Sequence, residues 1–149
     1  MAAAPVAAPS LAAAFKYLTS LVFLAVVVQV GFAGYGAFNA IDKADNGKTV
    51  TKKTIENGFD PHGALGTIVL VLMLALVLAA AIGRLGPFYA KMSAGLLVAG
   101  ALQILFAYLG TKSAPLGFLH GINALAIYAL SGLLAHRAWT QRPAAAAAA

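Results

Sequence analysis

Two of the three histidines in this chain, His62 and His120, stand at or inside apolar runs. An ionisable side chain there is costly without a partner and marks a functional site by default. Their surroundings match: the chain reads His62-Gly63-Ala64-Leu65 at the first, and His120-Gly121 followed by Ala124-Leu125 at the second. His62 lies 22 residues before Arg84, and His120 lies 22 before Arg142. Two neutral imidazoles opposed across a helical bundle can hold a haem iron from both faces, because porphyrin needs a flat slot and two axial nitrogens. Gly63, Gly66 and Gly121 would let helix backbones approach a macrocycle where larger side chains collide. Asn123, three residues beyond His120, falls near the same helix face. His62 and His120 are therefore the expected metal ligands, with Gly63, Gly66, Gly121 and Asn123 completing a pocket for haem b. Lys52, Lys53 and Lys112 could pair with propionates at the water boundary.

Other readings of the same residues stay open. A histidine in the first turn of a membrane helix can be an interfacial hydrogen-bonder and nothing more, and the pair could instead serve another metal or a quinone. Two ligands do not complete a tetrahedral zinc site, and only Asp60 or Asn123 could add to them. His136, beside Arg137, is explained by an interfacial position. Gln29 and Gln103 read as hydrogen bonds between helices. Cysteine is absent, which removes disulfides, thiolate metal sites and thiol nucleophiles. No Ser-His-Asp pattern, phosphate loop or carboxylate pair lies in the apolar region, so an electron-transfer or accessory subunit is expected ahead of a stand-alone enzyme.

The elements that position these residues follow from composition. Of 149 residues, 62% are apolar and 9% charged, far from the near-half apolar and quarter charged of a soluble domain. The apolar residues fall into four runs, predicting an all-α, transmembrane, up-and-down four-helix bundle over residues 15–140, with helices near 16–36, 61–84, 88–109 and 115–139. Residues 1–14 and 141–149 read as low-complexity tails rich in Ala, the first of them also in Pro and disordered. The polar stretch 39–60 reads as a solvated loop with a weak strand pattern at Lys48-Thr49-Val50-Thr51, and Asp60-Pro61 as the start of helix 2. The formal charge of +6 does not point to nucleic acid, because the ten Lys and Arg residues sit at run ends or in that loop. Lys16, Arg84, Lys91, Arg137 and Arg142 share one side and the remaining lysines the other. Short flanks beside helix ends weigh more than a loop that can be translocated, which places both termini in the cytoplasm of a bacterial inner membrane.

The end of helix 1, Gln29-Val30-Gly31-Phe32-Ala33-Gly34-Tyr35-Gly36, matches Gln103-Ile104-Leu105-Phe106-Ala107-Tyr108-Leu109-Gly110 at Gln, Phe, Ala and Gly. With the two His-Gly pairs this predicts two repeated helix pairs related by an axis along the membrane normal, placing His62 and His120 at one depth. An apolar four-helix unit with one histidine near the outer end of helix 2 and one in helix 4 resembles one half of haem A synthase, small bacterial four-helix membrane proteins and, more loosely, cytochromes of the b561 type. The resemblance covers about residues 15 to 140 and implies haem ligation by His62 and His120. It does not extend to synthase activity, since that family's catalytic loop often carries cysteines and its second half has no counterpart here. The expected function is a b-type cytochrome-like protein with one bis-histidine haem near the non-cytoplasmic face, exchanging electrons with a membrane or periplasmic redox partner. The alternative is a cofactor-free accessory subunit of a larger membrane complex.

Overall fold

The computed structural model describes residues 9–141. Four helices follow one another: α1 (Pro9–Asp45), α2 (Lys52–Ile82), α3 (Pro87–Gly110) and α4 (Ala114–Thr140). All four are long and apolar enough to cross a membrane, and they form the up-and-down bundle of a multi-pass membrane protein. Each helix lies beside two others in the order α1, α2, α3, α4 and back to α1, so α1 and α3, like α2 and α4, are diagonal.

The predicted polar loop 39–60 is mostly helix. α1 runs on to Asp45, where Gly47 at φ 68° closes it. Lys48 N–H donates to Lys43 O and Gly47 N–H to Ala44 O, the glycine-terminated cap that satisfies the last carbonyls. α2 then starts at Lys52 and not at Asp60, because Thr51 Oγ1 accepts from Thr54 N–H at 3.1 Å and caps it there. Pro61 consequently lies inside the helix. The weak strand pattern at Lys48–Thr51 is not realised; no strand occurs among the described residues. Residues 9–14, expected in the first tail, belong to α1, as an Ala-rich segment favours. Residues 1–8, Arg142 and the closing alanines lie outside the described residues. The other boundaries agree with the sequence reading to within two residues.

The repeat is written into the core. The buried residues Phe15, Thr19, Val22 and Val26 of α1 lie 74 positions before Tyr89, Ser93, Leu96 and Gly100, the buried residues of α3. Val69, Met73, Leu76 and Ala80 of α2 lie 58 before Ile127, Ser131, Leu134 and Ala138 of α4. All of them sit in the half of the bundle that carries the termini and the α2–α3 link. That half is pinned at its rim by aromatic and cationic side chains. Trp139 Nε1–H donates to Ser20 Oγ at 2.8 Å, Lys16 Nζ lies 5.9 Å from the Trp139 ring and Arg137 4.4 Å from the Phe88 ring, a composition typical of a membrane–water boundary. In the other half the buried residues among those described are Gly36 and Gly58, between α1 and α2, and the two helix pairs are held mainly within themselves.

Each pair closes on glycines. A Cβ on Gly36 would stand 2.8 Å from the Phe59 ring, and one on Gly110 would stand 2.8 Å from Gly117 Cα. Gly110→Ala should therefore force the α3–α4 backbones apart and destabilise the bundle by about 1–3 kcal/mol. Gly95→Ala, where an added Cβ meets nothing within 4 Å, should not. Thermal unfolding of the two variants in detergent distinguishes them.

Candidate functional site

The open half contains the histidines. Their ring centres are 6.1 Å apart, with the ring planes inclined at 62°, across the α2/α4 diagonal. Each ring is fixed by a glutamine of the preceding helix. His62 Nδ1–H donates to Gln29 O at 3.0 Å, and His120 Nδ1–H donates to Gln103 O at 3.0 Å. A backbone carbonyl can only accept, so both rings carry their proton on Nδ1 and keep a lone pair on Nε2, which on His120 accepts from Gln103 Nε2 at 3.1 Å. The glutamines of the repeat are thus inter-helix hydrogen-bonders, as read from the sequence, and they also set the tautomer of the histidines, which the sequence did not disclose.

The two rings meet edge to face; for comparison, imidazoles bound on opposite sides of one metal ion have ring centres about 6 Å apart, each nitrogen lying about 1 Å from its ring centre and about 2 Å from the ion. Around them is a cavity of about 450 Å³ with contributions from all four helices, in the range that holds cofactor-sized molecules. Its walls are apolar, including Val30, Leu70, Ile104 and Leu125, and Met73 lies against Gly100 at its floor. Gly63 and Gly121 line it, and an added Cβ on either meets nothing within 4 Å. These two glycines are not required by the protein's own packing, and they leave the space beside each ring free for a flat ligand.

Three expectations change. Gly66 lines the cavity but serves Gln29: a Cβ there would come within 2.9 Å of Gln29 Nε2, which donates to His62 O at 2.6 Å. Asn123 is not among the residues lining the cavity; its Nδ2 donates to Ala99 O at 2.8 Å and to Gln103 Oε1 at 2.7 Å. Lys52 and Lys53 are carried away from the site because α2 extends ten residues before His62, about 15 Å along the axis, and Lys52 pairs with Glu56 at 3.4 Å. Lys112 Nζ donates to Tyr108 Oη at 2.8 Å. His136 is exposed near the end of α4, as its interfacial reading requires. Phe59, 6.1 Å from His62 ring to ring, was not anticipated, because stretch 39–60 was read as loop. Among the described residues no group of three or more His, Cys, Asp or Glu converges, so the pair has no further ligands for a tetrahedral ion.

Compared with known proteins, the chain matches no family model, no curated protein and no solved structure.

The two glutamines differ in what they satisfy. Gln29 Oε1 is buried without a hydrogen-bond partner, whereas both ends of the Gln103 amide are bonded. Gln29→Leu removes an unsatisfied acceptor together with one bond and should change stability by less than about 1 kcal/mol. Gln103→Leu strips Asn123 and His120 of partners and should cost about 1–3 kcal/mol. Denaturant or thermal unfolding of the pair checks the order.

Proposed function

We propose that this protein is a membrane b-type cytochrome that binds one haem between His62 and His120 and passes electrons to or from a membrane or periplasmic partner. The observation that carries the reading is the pair itself: two δ-protonated imidazoles on diagonal helices, 6.1 Å between ring centres, in an apolar cleft flanked by Gly63 and Gly121. When bound, the haem supplies a one-electron couple. The chain's own residues do the rest. Gln29 O and Gln103 O orient the rings and fix their tautomer by accepting Nδ1–H. The apolar walls exclude water and favour a flat hydrophobic ring.

The site lies toward the end carrying the α1–α2 connection. Lys16, Arg84, Lys91 and Arg137 lie within two turns of helix ends on the opposite side, whereas Lys43, Lys48, Lys52 and Lys53 ride on the extended α1–α2 hairpin and Lys112 follows α3 on that same side. That contrast favours cytoplasmic termini in a bacterial inner membrane and a haem near the non-cytoplasmic face.

A second reading, a cofactor-free accessory subunit, is favoured by one feature. Gly31, Gly34 and Gly95 each have open space where a Cβ would go, which lets a partner helix come close. One spectrum separates the two. Protein purified after haem-replete expression should show Soret and α absorption bands, lost in His62→Ala and in His120→Ala. Colourless wild-type protein overturns the cytochrome reading and leaves the accessory one.

A further inference from the structure

The pseudo-symmetry makes each helix pair a control for the other, and the site departs from it at two adjacent positions. Where α4 has Asn123, α2 has Leu65; where α4 has Ala124, α2 has Gly66. Both differences act on the glutamine amide. In the first pair, the missing side chain of Gly66 lets Gln29 Nε2 lie against the helix and donate to His62 O at 2.6 Å, and Leu65 offers Gln29 Oε1 no donor. His62 Nε2 has no hydrogen-bond partner among the described residues. In the second pair, the methyl group of Ala124 stands at the position equivalent to Gly66. Asn123 Nδ2 holds Gln103 Oε1 at 2.7 Å, and the amide is turned so that Gln103 Nε2 donates to His120 Nε2 at 3.1 Å. The nitrogen that would coordinate a metal is thus bare on one side of the cleft and occupied on the other.

We infer that the His120 face of the site is an exchangeable coordination position, latched by Asn123 and Gln103, at which a small diatomic ligand (carbon monoxide, nitric oxide or dioxygen) binds. The inference rests on the haem reading above. His62 is the permanent ligand. His120 can ligate only by giving up its bond from Gln103, so the latch weakens the sixth bond and a diatomic molecule competes for it. Gln103 lines the cavity, and its N–H, released from His120 when that ring swings aside, becomes a donor to the bound ligand. A diatomic molecule entering through the apolar walls meets no charged group on the way, because the cavity lining contains no Asp, Glu, Lys or Arg.

The test is a carbon monoxide titration of the reduced, haem-loaded protein followed by its Soret difference spectrum. Wild type should bind carbon monoxide. Asn123→Leu/Ala124→Gly gives the second pair the residues that the first pair already carries. It should release His120 for tight ligation and lower carbon monoxide affinity by about tenfold, the worth of a single hydrogen bond. Asn123→Leu alone should move in the same direction with less change to the backbone contact. Colourless wild-type protein overturns the haem reading and this inference with it. Pigmented protein that ignores carbon monoxide overturns the inference alone. Equal affinity in wild type and the double variant overturns the latch.

Discussion

An imidazole N–H inside an apolar bundle has no water to bond, and the carbonyl of a glutamine one helix away is the acceptor this chain offers twice. The bonds from His62 to Gln29 O and from His120 to Gln103 O, each 3.0 Å, do three things at once. They remove the cost of a bare donor in a low-dielectric setting, they tie α1 to α2 and α3 to α4, and they decide which ring nitrogen is left with its lone pair. Tautomer, ring direction and helix register are one constraint. Moving either helix by a residue would break it, because the acceptor sits on the backbone and cannot follow by a change of rotamer.

That constraint explains how a bundle can be closed at one end and open at the other. In water, an apolar cavity of about 450 Å³ would be a large loss of burial. In a bilayer, lipid is as apolar as leucine, so helices associate by close packing and hydrogen bonds more than by exclusion of solvent. The closed half supplies the packing, with Phe15 edge-on to Tyr89 at 5.5 Å across the α1/α3 diagonal and Tyr89 Oη–H donating to Arg137 O at 3.2 Å. The open half is held by the glutamine–histidine bonds and by the glycine contacts at Gly36 and Gly110. The histidines could not sit in the closed half without displacing its interlocked core.

The spacing of apolar runs makes the four spans legible in the sequence, and matching offsets make the repeat legible because a parallel repeat preserves residue order. The depth match of His62 and His120 follows from that same order. Segment 39–60 was misread for a physical reason. Polarity there reports contact with water, which a helix projecting beyond the bilayer has as fully as a loop does, and Asp60-Pro61 looks like a helix start although Thr51 provides an earlier cap. Gly66 and Asn123 act on the site through partners that their own helices do not reveal. Their partners, Gln29 and Gln103, lie on neighbouring helices, and no pattern within one helix says which amide a small residue makes room for.

Beyond the site, the largest departure from symmetry is the length of the first pair. Past Gln29, α1 continues for 16 residues to Asp45, whereas α3 continues for 7 past Gln103 to Gly110, leaving an overhang of about 14 Å on the side of the open cleft. Asp42, Asp45 and most of the lysines of that side are on this overhang, and no Asp, Glu, Lys or Arg lines the cavity, so the cleft stays apolar. Within the length that both pairs share, Phe59 stands 6.1 Å from the His62 ring where α4 has Gly117, and Gly36 and Gly58 let α1 and α2 run in contact: a Cβ on Gly58 would stand 3.3 Å from Gly36 O. The first pair thus walls the His62 ring with an aromatic side chain. His120 has no aromatic ring packed at the corresponding place on its own pair, and the Gln103 amide, drawn over by Asn123, is what stands beside it. The two histidines share one depth and each makes the same kind of backbone bond, yet they meet different neighbours: an aromatic edge on one side and a hydrogen-bonded amide on the other.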